Sequence, residues 1–534
     1  MMYIYNIIEE LKKILIYLFV VKNMFSHLTK RNFLTKSMRF FSSKLERLAF
    51  DKLNQSDLAY FSSILQPHEI ITDPKELDQF NTDWKKNYKG NSSLLLRPNS
   101  TEKISKIMKH CNNRNLAVVP QGGNTGLVGG STPIFDEVIL STSNLKKVYG
   151  FNPYNSVLTC EAGCVLEDLN NMLSKDGYEI PLDLGAKGSC QIGGNISTHA
   201  GGIHFIKHGP FRGNLLGLEV VLPNGDILNL ESEVRKDNTG LDLKQLFIGS
   251  EGTLGIVTKA QILCTKKDNY HRVLLLRCQS YEQVLKINEL TRRVVGKNLS
   301  AIEFFDDHAY WSVINYIPGV TPPFEVGKDF ENYYVLVELA GSQPLESLEE
   351  SYFDALSEAD LANECVLCEN EGQALNLWKI REQIATASNH MGSFLIYDFS
   401  VDITQWMELV KDVRTRTAGK GFTVSYGHIG DGNLHVNIVY TDPKLKDELV
   451  SILEPATFDW LHKKKGSISA EHGIGFMKAN FLNYAKPDNV IHILRDIKKV
   501  FDPKGILNPY KVLPNSVAPT DYRALGIEDS KGSA

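Results

Sequence analysis

What this sequence lacks narrows it at once. No apolar run reaches the ~20 residues that a membrane helix needs. The early run Ile14 to Val21 is eight long and follows Glu9, Glu10, Lys12 and Lys13, so no transmembrane span is expected. A basic surplus is missing too: 58 Lys and Arg face 63 Asp and Glu, a net charge of -5. That excludes the electrostatic footprint of a nucleic-acid binder. Eight cysteines (111, 160, 164, 190, 264, 278, 365 and 368) form no disulfide framework, as suits a reducing compartment. A single CxxC, Cys365 to Cys368, has no second CxxC to complete a zinc knuckle. Its alternating apolar neighbours make it an ordinary strand. Repeats and low-complexity tracts are absent. With 534 residues, 43% of them hydrophobic, the chain is globular and long enough for two or more domains.

Acids are also scarce near the N-terminus. From Met24 to Phe50, Lys30, Arg31, Lys36, Arg39, Lys44 and Arg47 face only Glu46, with Ser37, Ser42 and Ser43 between them. That is the pattern of a mitochondrial presequence, residues 1–41, cleaved at "RFFSS" near Ser42, which predicts a matrix protein. Residues 1–23 read either as a signal-peptide core or as an overlong start ahead of Met24.

Over residues 55–268, short β-rich runs alternate with helical patterns and glycine turns, as in "GLEVVLPNGDILNL" and "TLGIVTKAQILC". Glycine thins near residue 270. Over 269–415, "YYVLVELAG" and "FLIYDFSVDI" read as strands and "QALNLWKIREQIATA" as helix, an α+β pattern. Residues 416–515 hold "YGHIGDGNLHVNI", "SAEHGIG" and "DPKGILNP", and 516–534 are a tail.

"PQGGNTGLVGGS" (Pro120 to Ser131) carries five glycines in twelve residues. Glycine lets backbone N–H groups close on an anion. The GxGxxG spacing of a dinucleotide-binding helix is absent, and "DEVILST" after the loop reads as a strand. Two further glycine segments, Gly188 to Gly225 and Ile248 to Thr258, make turns alone an insufficient account. Together the three segments form a surface suited to a long, phosphate-bearing cofactor.

In "YGHIGDGNLHVNI", "GFTVSY" and "LHVNIVY" alternate as strands about the turn "GDGN", a hairpin that sets His428 across from His435. Packing histidines and half a metal site both remain open on this spacing. A catalytic zinc takes three protein ligands, and Glu471 in "SAEHGIG" is the third candidate.

The ordered set "PQGGNTGLVGG", "GGNISTHAGG", "NLLGLEVVLPNG", "GSEGTLGIVT", "GHIGDGNLH", "SAEHGIG" and "DPKGILNP" resembles the FAD-linked oxidases of the vanillyl-alcohol-oxidase type. Within them the sequence is most similar to the mitochondrial branch that oxidises D-2-hydroxyglutarate. The resemblance implies an α+β fold: an FAD-binding domain (55–268), an α+β substrate cap domain (269–415), and a C-terminal segment (416–515) returning to the flavin. Cofactor-binding residues are expected at Pro120, Gln121, Gly122, Gly123, Asn124, Thr125, Gly126, Gly129, Gly130 and Ser131; at Gly193, Gly194, Asn195, Thr198 and Gly202; and at Glu251, Gly255, Ile256 and Asn508. Some members attach FAD through a histidine in the first loop; this loop has Asn124, so non-covalent FAD is expected.

The resemblance also implies Zn2+ on His428, His435 and Glu471, His472 as general base, and Arg381, Asn437 and His472 as substrate contacts. The expected oxidoreductase converts D-2-hydroxyglutarate to 2-oxoglutarate, passes its electrons to electron-transfer flavoprotein, and forms a homodimer. Ala385 and Ile396 stand where the family has threonine and lysine. Their apolar side chains remove donors for a second carboxylate, which favours D-lactate or another D-2-hydroxy acid as the alternative unless Lys187, Lys207 or His390 compensates. Two other classes compete: a non-catalytic flavoprotein-fold subunit of a mitochondrial assembly, and a zinc hydrolase without FAD.

Overall fold

Two glycine-poor strands bracket the first glycine loop, and their pairing explains its shape. The computed structural model describes residues 45–327, 329–362 and 364–514. The expected presequence 1–41, with its alternative start, and the tail 516–534 lie outside these residues. From Asp51 the described chain forms one unit. Val118–Gln121 and Val138–Ser141 run parallel in a four-stranded sheet with Leu95–Leu96 and Ile70–Ile71. The loop between them therefore leads into a strand, as "DEVILST" indicates. Helix Thr101–Arg114 buries Ile104, Ile107, Met108 and Cys111, the i, i+3, i+4, i+7 stripe of an amphipathic helix. Ser100 accepts from Lys103 N to cap its start, and Asn115 at φ 54° turns the chain at its end.

A second, antiparallel sheet orders Val148–Asn152, Val157–Glu161, Ile256–Leu263, Leu215–Val221 and Ile227–Leu230. "GLEVVLPNGDILNL" thus forms the last two strands, turning at Asn224 and Gly225. The C-terminal chain returns here: Val118 N donates to Ile506 O, and Asn508 N donates to Val118 O, both at 2.8 Å.

The third sheet carries the candidate site. Its seven antiparallel strands run in the order Cys365–Leu367, Tyr270–Cys278, Tyr333–Gly341, Leu299–Asp306, Phe422–His428, Asn433–Tyr440 and Ser393–Ser400. Strand periodicity sends alternate residues to opposite faces. Leu395, Tyr397, Leu434, Val436 and Ile438 pack under helices that include Trp406–Thr417 and Leu445–Lys463. Phe305, Val424 and Tyr426 face Asp307–Tyr316, Glu371–Glu382 and Ile384–Met391. The expected single helix over "QALNLWKIREQIATA" is instead two, broken at Gln383 (φ -88°, ψ 6°). Cys365 sits in an edge strand; burial pushes both it and Cys368 up to about 11, so these are unreactive thiols.

Glu338 ties the glycine-rich half to this sheet. Its oxygens meet His204 Nε2 at 3.2 Å and His271 Nδ1 at 3.0 Å. Burial works against the carboxylate, yet the two imidazoles hold it at about 2. Burial likewise opposes charge on His204, and Glu338 raises it above its ordinary value. The carboxylate's contribution is complete above its unfolded 4.5 and lost as pH falls toward 2. The His204 contribution is complete below its unfolded 6.5 and lost as pH rises through the higher folded value. Glu338→Gln should therefore cost about 2–3 kcal/mol. Thermal midpoints across pH should show the largest gap to wild type between 4.5 and 6.5, narrowing on both sides.

Candidate active site

The hairpin expected around "GDGN" forms, with a register that offsets its histidines. The residues 429–432 make the loop, so His428 pairs with Asn433, and His435 pairs with Tyr426. His428 and His435 are therefore diagonal rather than directly opposed. They still share a face, and their ring centroids lie 5.3 Å apart. Glu471 approaches from the irregular segment after Ser467. Its Oε1 lies 3.5 Å from His435 Nε2 and 3.8 Å from His428 Nε2.

All three donor atoms fall within 4.8 Å of one another. Tetrahedral bonds of zinc length put ligand atoms about 3.3 Å apart, so a small contraction fits an ion. The donor set, two neutral-capable imidazoles and a carboxylate, also suits zinc and leaves one position open.

Two fully buried carboxylates aim these rings. Glu303 Oε1 bonds His428 Nδ1 at 2.8 Å, which turns Nε2 toward Glu471. Asp398 meets His472 Nδ1 at 3.2 Å, turning His472 Nε2 toward the same Glu471 oxygen, 3.9 Å away. Such carboxylate–imidazole pairs fix ring tautomers around metals and reacting atoms. Burial opposes charge on His428, but Glu303 and Glu471 raise it to about 10. Burial also penalises the Glu471 anion, and His428, His435 and His472 hold it well below the usual carboxylate range. His435, fully enclosed, is held neutral by that burial.

Asp398 does more than orient one ring. It accepts from the backbone N–H of Ala470, Glu471 and His472 at 2.9–3.0 Å, and from Lys478 Nζ at 2.6 Å. Burial penalises its charge, yet these partners keep it far below an ordinary aspartate.

Arg381 ends the 371–382 helix, 5% exposed. Its Nη2 forms an ion pair with Glu303 Oε2 at 2.6 Å, and its Nε has no acceptor among the described residues. Its guanidinium lies 4.9 Å from the Tyr426 ring centroid. Asn437 donates to Ser388 Oγ and Tyr426 Oη, and its Oδ1 has no partner among the described residues. The signal missed in the sequence was the acid at a core-facing strand position, Glu303 in "AIEFFD" and Asp398 in "IYDFS".

Glu471 and His472 open onto a cleft of about 630 Å³ walled by the glycine segments. Of the residues expected to hold a cofactor, all but Gly129, Gly202 and Asn508 line it. Gly126 and Gly194 have open space where a side chain would project. Gln121 Oε1 and Asn195 Oδ1 at the cleft, and Asn508 Oδ1 behind it, lack hydrogen-bond partners among the described residues. Open backbone and unsatisfied acceptors fit a polar cofactor such as FAD.

The three remaining residues brace the wall. Gly129 adopts φ 68°, where a side chain would strike Tyr88. Gly202 N donates to Glu471 Oε2 at 3.1 Å. Asn508 Nδ2 donates to Gly130 O and Glu251 O. Glu251, also at positive φ (51°), accepts from Ile474 N and Gly475 N, each at 2.7 Å.

Ala385 and Ile396 also line the cleft. Of the three side chains considered as compensation, Lys187 reaches it but pairs with Asp183. Lys207 pairs with Asp268, and His390 meets Tyr316 O; neither lines the cleft.

Asp398→Asn removes the counter-charge from Lys478, which is 1% exposed. It should destabilise the protein by about 3–5 kcal/mol, and adding Lys478→Met should recover part of that. Denaturant unfolding of the two single variants and the double variant measures the coupling.

Comparisons with known proteins give the family. Residues 92–231 match the family "FAD binding domain", and residues 267–512 match "FAD linked oxidases, C-terminal domain". A mitochondrial D-2-hydroxyglutarate dehydrogenase of Arabidopsis thaliana is 44% identical over 470 residues, covering 88% of this chain and 83% of that protein. One of the same name from Danio rerio is 44% identical over 474 residues, covering 88% and 87%. Among solved structures, p-cresol methylhydroxylase with substrate bound reaches a TM-score of 0.71 at 14% identity, covering 86% of this chain and 98% of that chain. That likeness is one of fold, the vanillyl-alcohol-oxidase type. The chain belongs to the FAD-linked oxidase family, as do the mitochondrial D-2-hydroxyglutarate dehydrogenases to which it is similar.

Proposed function

We propose that the chain is a dehydrogenase oxidising a D-2-hydroxy acid, D-2-hydroxyglutarate to 2-oxoglutarate. The observation that carries this reading is the convergence of three imidazole Nε2 atoms on Glu471 Oε1 at the edge of a glycine-walled cleft. The 55–268 region serves as the FAD-binding domain, 269–415 as the cap, and 416–515 as the catalytic segment. The three glycine segments hold FAD, and His428, His435 and Glu471 hold zinc. Bound there, FAD supplies the acceptor for the Cα hydride, and zinc supplies the Lewis acidity that lowers the hydroxyl pKa and orients it. FAD is non-covalent on this reading: Asn124 occupies the loop, donating to Thr82 O and accepting from Ser131 Oγ.

This chain's own residues do the rest. Asp398 accepts from the Nδ1–H of His472, which leaves Nε2 as the base for the substrate hydroxyl proton. Arg381, held at Nη2 by Glu303, offers its Nε–H to the C1 carboxylate, and Asn437 offers Oδ1 to the hydroxyl edge of the substrate. Burial of these groups excludes competing water.

The basic, serine-bearing N-terminus and the mitochondrial naming of the relatives support delivery to the matrix. Electron-transfer flavoprotein is the acceptor that the family resemblance implies, and a homodimer is the assembly expected. No helix among the described residues is long and apolar enough to cross a membrane. A second reading, D-lactate oxidation, is favoured by the apolar Ala385 and Ile396 in the cleft wall.

Anaerobic flavin bleaching tests both. D-2-hydroxyglutarate should bleach the flavin rapidly, and a zinc chelator should abolish the bleaching. His472→Gln should lower kcat by about 10²–10⁴-fold with little change in KM. Bleaching by D-lactate alone selects the second reading, and bleaching by neither acid leaves a non-catalytic subunit.

A further inference from the structure

A dicarboxylic substrate brings a second charge into a cleft whose nearest walls, Phe394, Ile396 and Ala385, are uncharged. Two lysines line that cleft. Lys187 is bound to Asp183 at 3.0 Å. The other is Lys85, from the loop "TDWKKNYKG". Its Nζ is buried and finds no hydrogen-bond acceptor among the described residues. It rests instead on the Phe394 ring, 2.8 Å from the centroid.

The loop is built to leave this ammonium unpaired. Asp83, the nearest acid, spends its carboxylate on the backbone: Oδ2 accepts from Lys85 N at 3.1 Å and Oδ1 from Tyr88 N at 2.6 Å. Lys446 adds a second positive charge nearby and is itself occupied with Asn87. Burial of an ammonium without an anion is costly, and a ring face recovers only part of the loss. Burial pushes Lys85 down to about 7, partly offset by Asp83. An anion arriving in the cleft would restore full charge and gain a desolvated partner.

The strand beneath supplies the ruler. Phe394, Ile396 and Asp398 alternate onto one face of Ser393–Ser400. Ile396 pairs with Asn437, and Asp398 pairs with His435. The row thus runs from the His435–His472 centre, past Asn437 and Ile396, to the ring under Lys85. Successive members of the row are about 7 Å apart. A 2-hydroxy acid anchored by its hydroxyl and C1 carboxylate at Asp398's end directs its far end along Ile396 toward Lys85.

We propose that Lys85 forms the subsite for the distal carboxylate of a 2-hydroxy dicarboxylic acid, reached from a loop across the apolar wall made by Ala385 and Ile396. This rests on the proposed oxidation of a D-2-hydroxy acid at His472. It makes Lys85 the specificity-determining residue between D-2-hydroxyglutarate and D-lactate.

The test uses the purified holoprotein as wild type, Lys85→Met and Lys85→Arg. Calorimetry measures affinity for glutarate, a diacid with no hydroxyl to oxidise. Steady-state kinetics measure KM and kcat for D-2-hydroxyglutarate and D-lactate, and thermal scans follow folding. Lys85→Met should weaken glutarate and raise KM for D-2-hydroxyglutarate about 10- to 100-fold, the loss of one charge-assisted contact. Its kcat should change little, its D-lactate constants should hold, and its thermal midpoint should not fall. Lys85→Arg should keep most of the diacid affinity.

Glutarate affinity that is absent, or unchanged in Lys85→Met, overturns the subsite, as does an equal rise in KM for both acids. If the wild type oxidises neither acid yet loses glutarate affinity with Lys85→Met, the reaction fails and the subsite stands. If D-2-hydroxyglutarate is oxidised with unchanged KM in Lys85→Met, the subsite fails and the reaction stands.

Discussion

One buried carboxylate organises the site. Asp398 sits on an inner-face position of a strand, fully enclosed, and its charge is affordable only because a lysine, an imidazole and three consecutive backbone N–H groups surround it. Those N–H groups belong to Ala470, Glu471 and His472, a stretch with no regular secondary structure. A loop that would otherwise wander is therefore pinned to a rigid sheet at the residues that carry the metal-type carboxylate and the proposed base. Glu303 holds His428 and Arg381 in a similar way from Leu299–Asp306, three places along the sheet. Pre-organisation of this kind is what lets buried polar groups act without reorganising.

The second constraint is that the two halves of the fold share this loop. Glu251 holds Ile474 and Gly475 by their backbone N–H groups, and Asn508 holds Glu251 and Gly130 by their carbonyls. Gly475 lies against Val128, whose carbonyl also receives Phe476 N and Met477 N. Only glycine tolerates that approach at a φ of 51°. The glycine-rich cofactor wall and the imidazole cluster are thus joined by hydrogen bonds to backbone groups rather than by side-chain packing alone.

Much of this was legible in the sequence, and the exceptions share a cause. Histidines flanking a glycine turn, a Glu-His pair beside flexible glycines, and three glycine segments announce themselves by residue type. Their convergence follows from hairpin geometry, although the loop length that offsets His428 from His435 does not. Glu303 and Asp398 stayed hidden because an acid between apolar or aromatic residues reads as the solvent side of an alternating strand. Here both faces of the sheet are covered by helices, so the pattern misleads. The helix break at Gln383 has no proline or glycine to mark it. Lys85 sits among Lys86 and Lys89 in what reads as a solvated charge run, and only the tertiary fold turns one of the three inward.

The Glu251 clamp has a consequence for how damage to this protein would present itself. Ile474 and Gly475 do not themselves line the cleft, but they anchor a side chain that does. A lesion at either end of the clamp would loosen the other, because the Glu251 carboxylate at the cleft and the loop carrying Glu471 and His472 are held by the same two hydrogen bonds. Substitutions at 251 and at 474 or 475 would therefore resemble one another in effect, although 223 residues separate Glu251 from Ile474.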